Sequence, residues 1–196
     1  MKHQSGVTLV EVLVSMVIMA LGLVSLAALQ NFTLRYQLGS VHRAQLSGLL
    51  SDYAERVRSN LAQAPGQLAG DPKNSPYYFS QDWATQKAAP ASASTNCTGT
   101  TECTPAQLAA ADMAAWRQRV RQELPRGSVV VEGDAVQGMT VSFLWSDKEN
   151  VSSPTGDKVQ AKTCADSDTG LDEQTCCPAS AKAPEGVRCA TFSFVP

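Results

Sequence analysis

Residues 6 to 30, GVTLVEVLVSMVIMALGLVSLAALQ, decide how the rest of this chain must be arranged. No charged residue falls between Val12 and Leu34, and the 23 residues from Val7 to Leu29 include thirteen Val, Leu and Ile side chains. As a helix rising about 1.5 Å per residue the run covers about 35 Å, against about 30 Å of bilayer hydrocarbon, so a transmembrane helix with a modest tilt is predicted. At roughly −0.3 to −0.6 kcal/mol apiece, the thirteen aliphatic residues contribute about −4 to −8 kcal/mol to insertion. Glu11 is the one acidic residue in the run. It would cost about 2.5 to 3.5 kcal/mol at the bilayer centre, but in the first turns of the helix the interface and the helix dipole both favour a carboxylate. Lys2 and His3 precede the run, and the positive charge there predicts that the remainder lies outside the cytoplasm.

Around this segment, the 196 residues amount to about one domain. Sixteen Lys and Arg against eighteen Asp and Glu leave a net charge of −2. Near-neutrality argues against a strongly basic nucleic-acid surface and against a chain held open by self-repulsion. Hydrophobic residues make up 43% and charged ones 17%, and the apolar excess is concentrated in the N-terminal run.

A cleavable secretory signal has a shorter apolar region, of about 7 to 15 residues, and a small-residue cut site. Here Leu26-Ala27-Ala28 leads directly into Gln30 and a continuing helical pattern. A plain signal anchor accounts for the length but gives Glu11 no role. The segment Gly6-Val7-Thr8-Leu9-Val10-Glu11 resembles the class III leader of type IV pilins and pseudopilins. That family has a short basic leader ending in Gly, an apolar helix immediately behind it, and Glu as the fifth residue beyond the cut. The resemblance implies cleavage by prepilin peptidase between Gly6 and Val7. Val7, where the family usually has Phe or Met, would then be the N-methylated first residue. Glu11 would be the assembly residue, neutralising the N-terminal ammonium of a neighbouring subunit. An ionisable group in a membrane helix needs such a partner on physical grounds as well.

No proline occurs before Pro65, and Leu38, Val41, Leu46, Leu49, Leu50, Tyr53, Val57 and Leu61 recur mostly at three- and four-residue steps. This helical stripe predicts one helix from about Val7 to Ala64, about 87 Å long. Its first half would lie in lipid and its second half would support a sheet. Gly22, Gly39 and Gly48 weaken the helix locally and permit bending or close packing between subunits. Residues 65–103 are turn-rich, as in PASASTNCTGTTEC, and predict a surface loop anchored by Tyr77-Tyr78-Phe79 and Trp83. The pilin family places a variable loop between its long helix and its sheet.

Thr104-Pro105-Ala106-Gln107 predicts a capping box opening a second helix, over about 104–124. Leu108, Met113, Trp116, Val120 and Leu124 lie on or near one face, and Arg117, Arg119 and Arg121 largely elsewhere, as a solvated face. The stretch TPAQLAAADMAAWRQRVRQELPRG is similar to the corresponding part of PilV-type minor pilins, whose helix carries an acidic residue and a Trp-Arg pair. Strands are predicted within about 128–146 and over 187–195. In the run from Met139 to Ser146, Met139, Val141, Phe143 and Trp145 share one face and Thr140, Ser142, Leu144 and Ser146 the other, as in a half-buried antiparallel strand. The polar segment 147–186 has few apolar anchors and would be held by disulfides.

Six cysteines, Cys97, Cys103, Cys164, Cys176, Cys177 and Cys189, all follow the apolar helix, on the side predicted to be oxidising, where disulfides are the default. Six allow 15 connectivities. Short spacing favours Cys97 with Cys103, leaving three ways to pair the others. The family commonly ties its C-terminal region to the sheet, which implies that Cys176 and Cys177 bond to different partners, Cys164 and Cys189, in an order left open. No C-x-x-C occurs, and the two histidines, His3 and His42, lie in the leader and the long helix, so neither a zinc module nor a thiol oxidoreductase has its spacing. Asp166, Asp168, Asp172 and Glu173 could offer oxygen ligands to calcium, but the EF-hand pattern is not met and a solvated acidic loop is the simpler reading. No catalytic motif appears, so neither an enzyme nor a cofactor is expected.

The predicted class is α+β and type IV pilin-like. A long N-terminal helix, membrane-spanning in its first half, packs on a small antiparallel sheet with a disulfide-stapled C-terminal region. The boundaries expected are leader 1–6, transmembrane part 7–30, periplasmic part of the helix 31–64 and head domain 65–196. The resemblance implies a minor pilin that joins other minor pilins and the major pilin in the complex priming pilus assembly, and so supports twitching motility and adhesion. Prepilin peptidase and a pilus-tip adhesin would be further partners, and no nucleic acid is expected. The chain would be single-pass in the bacterial inner membrane with a periplasmic C-terminal domain, and later reside at the pilus tip. Two alternatives stand beside this one: a minor pseudopilin of type II secretion, which shares the leader but usually has a smaller head, and a signal-anchored periplasmic binding domain, uncut after Gly6.

Overall fold

The apolar run and the stripe that follows it form one helix, α1, Leu9–Gln63. The computed structural model describes Gly6, residues 8–63, 77–89, 91–92, Cys97, and residues 102–134, 138–147 and 159–196. The turn-rich stretches at 64–76, 93–96 and 98–101, like Val7 and Met1–Ser5, lie outside the described residues. After α1 come α2 (Trp83–Ala88), α3 (Pro105–Glu123), β1 (Ser128–Asp134), β2 (Gly138–Ser146), α4 (Leu171–Thr175), a 3-10 turn (Ala179–Ala181) and β3 (Val187–Phe194). The chain divides into two compact units, Met1–Val41 and His42–Pro196.

In the first unit the helix is apolar on every side. Its few hydroxyls are turned back onto the helix, Ser15 Oγ donating to the Glu11 carbonyl at 2.7 Å, Ser25 to Leu21 at 2.9 Å and Thr33 to Leu29 at 2.9 Å. Such back-bonding satisfies polar side chains without water.

In the second unit, Leu46, Leu49, Tyr53 and Val57 form a stripe buried at three- and four-residue steps. They share a core with Ala109, Met113, Trp116 and Val120 of α3 and with Val129, Val131, Met139, Val141, Phe143 and Trp145 of the sheet. Aromatic rings link the layers: Tyr53 to Trp116 at 4.6 Å, Trp116 to Phe143 at 5.8 Å and Phe143 to Phe192 at 6.1 Å between centroids. The capping box opens α3, with the Gln107 amide donating to Thr104 Oγ1 at 3.3 Å and the Thr104 amide to Gln107 Oε1 at 2.9 Å. Met113, Trp116, Val120 and Leu124 are buried as the periodicity predicts; Leu108 is only half-buried, and Ala109 takes the innermost place beside it.

The sheet has the order β1-β2-β3 and is antiparallel throughout. Val131 pairs with Val141, and Phe143 with both Val129 and Ala190. β2 departs from the half-buried expectation, since Ser142 and Leu144 on its second face are buried as well. A second apolar cluster covers that face: Trp83 of α2 with Val130, Leu144, Ala161, Cys177, Ala181, Val187 and Cys189. Residues 147–186 therefore do supply apolar anchors, small ones whose contribution composition understates.

The chain turns from α3 into β1 at Pro125-Arg126-Gly127, where space is minimal. A Cβ on Gly127 would press on the Val120 carbonyl oxygen and lie 2.9 Å from Leu124 Cβ. Backbone atoms and a helix-end side chain cannot yield as a long side chain would. Gly127→Ala is expected to cost roughly 1–3 kcal/mol, and a thermal midpoint unchanged from the wild type in detergent would refute this reading of the turn.

Candidate assembly site on the N-terminal helix

Thr8 stands just ahead of α1 and receives its first free amides. Its carbonyl accepts from the Glu11 amide at 3.1 Å and the Val12 amide at 3.3 Å. Its hydroxyl also lies 3.4 Å from the Glu11 amide, the placing that an N-cap threonine gives three residues later. Glu11 is thus fixed in the first turn, where the unpaired amides and the dipole favour an anion. Gly6 is exposed with nothing near it; Val7, on the other side of the expected cut, lies outside the described residues.

From Leu9 to Leu34 the helix is long and apolar enough to cross a membrane, and none of that span is buried within the protein. Leu9 is 76% exposed, Met19 68% and Val24 69%, on different sides of the helix. A helix exposing apolar side chains all round needs a cover of lipid or of other helices.

The other candidate residues are held by partners within the second unit. Cysteines pair as Cys97 with Cys103, Cys164 with Cys176 and Cys177 with Cys189; the last joins the C-terminal segment to β3, and the order of the last two pairs is one that spacing left open. Of the arginines of α3 only Arg119 is exposed, as a solvated face requires, while Arg117 and Arg121 are half-buried. Arg119 bonds Glu123 at 2.6 Å and Asp52 of α1 at 3.2 Å. Arg121 donates to the carbonyls of Gln86 at 2.9 Å and Ala89 at 2.7 Å, closing the end of α2. Arg117 lies 3.6 Å over the Phe79 ring; burial, and then the charge of Arg121, lower its guanidinium to about 10. Asp112 receives Arg56 at 2.9 Å and lies 3.1 Å from the Tyr77 hydroxyl. Burial above all pushes that hydroxyl above its ordinary range. His42 lies 3.2 Å from Gln45 Oε1. α2 was not anticipated; its signal in the sequence was Asp82, which accepts from the Thr85 amide at 2.7 Å as N-cap.

In the acidic loop, Asp168 accepts from Lys162 at 2.9 Å and from the Ala165 amide at 3.0 Å, and Asp172 lies 3.3 Å from Lys162. Among the described residues no group of three or more His, Cys, Asp or Glu side chains is placed to hold a metal ion. The hydrogen bond from Lys162, followed by that from Ala165, holds the Asp168 carboxyl below its usual range. A depressed carboxylate favours the fold in full above the unfolded value of about 3.9, and this contribution is lost as pH falls through the lower folded value. The Ala165 amide resonance is therefore expected to titrate with a midpoint below about 3.9, and a midpoint at or above it would show that the Lys162 contact does not persist in solution.

Residues 1–27 match the family described as the prokaryotic N-terminal methylation motif, which is the class III prepilin leader. No curated protein and no solved structure matches the chain. The motif belongs to a structural rather than an enzymatic class and suggests a protein of the type IV pilin family. The long apolar helix behind it, the three-stranded antiparallel sheet and the disulfides of the C-terminal region fit a membrane-anchored pilin.

Proposed function

We propose that this chain is a minor pilin of the PilV type, which joins other minor pilins in the complex that primes assembly of a type IV pilus. The observation that carries the reading is Glu11 in the first turn of a helix whose apolar span, Leu9–Leu34, is nowhere buried within the protein, in register with the methylation motif over residues 1–27. Prepilin peptidase cuts after Gly6 and leaves an ammonium at Val7, which is then methylated. In an apolar environment neither an ammonium nor a carboxylate is tolerated without a partner. The Glu11 carboxylate of one subunit and the Val7 ammonium of its neighbour supply that partner for each other, and this sets the depth at which an incoming helix docks.

In this reading residues 1–6 are the leader, 7–30 span the inner membrane, 31–64 continue the helix into the periplasm and 65–196 form the head. The three disulfides suit an oxidising compartment. The major pilin and a tip adhesin are the further partners, and twitching motility and adhesion the outputs. The intact mass and N-terminal sequence of the protein from its native cells test this directly. Loss of residues 1–6 with a methylated Val7 is expected; an uncut Met1 would make the chain a signal-anchored protein, and a cut near Ala28 a secreted domain. Deletion of the gene separates the pilus from its secretion counterpart, since loss of twitching supports the minor pilin and loss of type II secretion the pseudopilin.

A further inference from the structure

The two edges of the sheet are finished differently. Along β1, the Val131 amide donates to the Phe79 carbonyl at 2.7 Å and the Phe79 amide to the Val131 carbonyl at 3.1 Å. The buried side chain of Gln86 serves Val129 in the same way, donating to its carbonyl at 2.8 Å and accepting from its amide at 3.2 Å. The outward backbone groups of β1 are thus closed at Val129 and Val131, which leaves no template there for another strand.

β3, the other edge, has no such seal. Because Val131 turns its backbone groups away from β2, its partner Val141 turns its own toward β3, opposite Phe192. The Asp147 amide, which donates to the Gly186 carbonyl at 2.9 Å, keeps the same phase. Hence Ala190, Phe192 and Phe194 bond β2, whereas Cys189, Thr191 and Ser193 direct their amides and carbonyls outward. Among the described residues no backbone hydrogen bond closes the outward groups of Thr191 or Ser193. α4 lies beside β3 and Cys189 is buried, but Thr191 is half-buried, Ser193 exposed and Val195 62% exposed. From Cys189 to Val195 there is no charge, glycine or proline, so the side-chain guards of an edge strand are missing.

The side chains define what fits. On the core side Phe192 and Phe194 are half-buried, with Phe194 5.8 Å from Tyr53. On the other side the Thr191 hydroxyl lies 2.9 Å from that of Ser142, and the Ser193 hydroxyl 3.2 Å from that of Thr140. A strand laid beside β3 continues both rows if apolar residues alternate with hydroxyls. A second copy has such a strand in its own β3, but antiparallel pairing of two β3 edges puts a two-fold axis normal to the sheet. That axis reverses the stretch of α1 packed on the sheet, a condition that two chains anchored the same way in one membrane cannot meet.

We propose that the edge of β3 from Thr191 to Val195 receives an extended segment of a different polypeptide, uncharged and alternating apolar with Ser or Thr side chains, as a fourth strand of the sheet. The edge uses no residue of the N-terminal site and does not depend on the minor-pilin reading. The test follows amide hydrogen exchange of the full chain in detergent, disulfides intact, with and without the peptide acetyl-Lys-Thr-Phe-Ser-Phe-Thr-Val-Lys-amide at about 1 mM, the weak end of specific affinity. The Thr191 and Ser193 amides are expected to slow about tenfold at saturation, while Phe192, already bonded to β2, stays unchanged. The same peptide methylated on the nitrogens of its Thr and Ser residues, which would face β3, should give no protection. Ser193→Pro should melt near the wild type, because that amide takes no part in the β2 ladder, and should lose the peptide's protection at Thr191. Unchanged exchange with the peptide, or equal protection by the methylated one, overturns the proposal. Protection present without peptide overturns it too: growing with protein concentration it gives the edge to a second copy, and independent of concentration to this chain itself.

Discussion

Replacing Glu11 with alanine is expected to leave membrane insertion intact and to remove the protein from sheared pili. Insertion depends on the thirteen aliphatic residues of the run, worth about −4 to −8 kcal/mol, and Glu11, in the first turn, contributes little to it either way. Docking is different. In the proposed assembly, loss of the carboxylate leaves the ammonium at Val7 of the neighbouring subunit alone in an apolar environment, and breaking a buried pair from one side costs about 3–5 kcal/mol. That is a factor of roughly 10² to 5 × 10³ in incorporation. Glu11→Gln keeps the shape and removes the charge, so it should fail equally. Undiminished recovery of either variant in sheared filaments, at wild-type levels in the membrane fraction, would remove Glu11 from assembly.

Trp116→Ala should be the most damaging single change in the second unit. The side chain is fully buried, its ring lies 4.6 Å from Tyr53 and 5.8 Å from Phe143, and its indole N–H donates to the Leu49 carbonyl at 2.8 Å. It therefore joins α3 to the stripe of α1 and to the sheet at once. Truncating a buried Trp costs about 3–5 kcal/mol, against a total stability of about 5–15 kcal/mol for a domain. At about 2–4 °C per kcal/mol for a chain of this size, the thermal midpoint should fall by roughly 6–20 °C. Trp116→Phe retains most of the ring and loses the N–H, and should fall by less than half as much. A Trp116→Ala protein melting within about 2 °C of the wild type would mean that the three layers do not meet at this residue.

Much of the fold was legible because its signals are local. The unbroken apolar run marks α1 from Leu9. The stripe Leu46, Leu49, Tyr53 and Val57 names the face that is buried. The Thr104–Gln107 box opens α3, and the alternation Met139, Val141, Phe143, Trp145 names the inner face of β2. Each of these patterns is written within a single element, where period and capping chemistry suffice to read it. The leader and Glu11 are likewise carried by a few neighbouring residues.

What the sequence could not show is which elements meet. Arg121 looks solvated until it reaches the carbonyls that end α2, and Asp52, the partner of exposed Arg119, lies 67 positions earlier in the chain. Ser142 and Leu144 belong to the outward face of an isolated β2, yet both are buried, Leu144 in a cluster with Trp83, Val130 and side chains from Ala161 to Cys189. The bonding order of Cys164, Cys176, Cys177 and Cys189 needed Cys177 placed beside β3. Thus the apolar helix, its acidic first turn and the core-facing stripes were determined by the sequence alone, because periodicity and hydrophobicity act along one segment. Charge partners and disulfide order were decided by tertiary structure, because each depends on the distance between groups far apart along the chain.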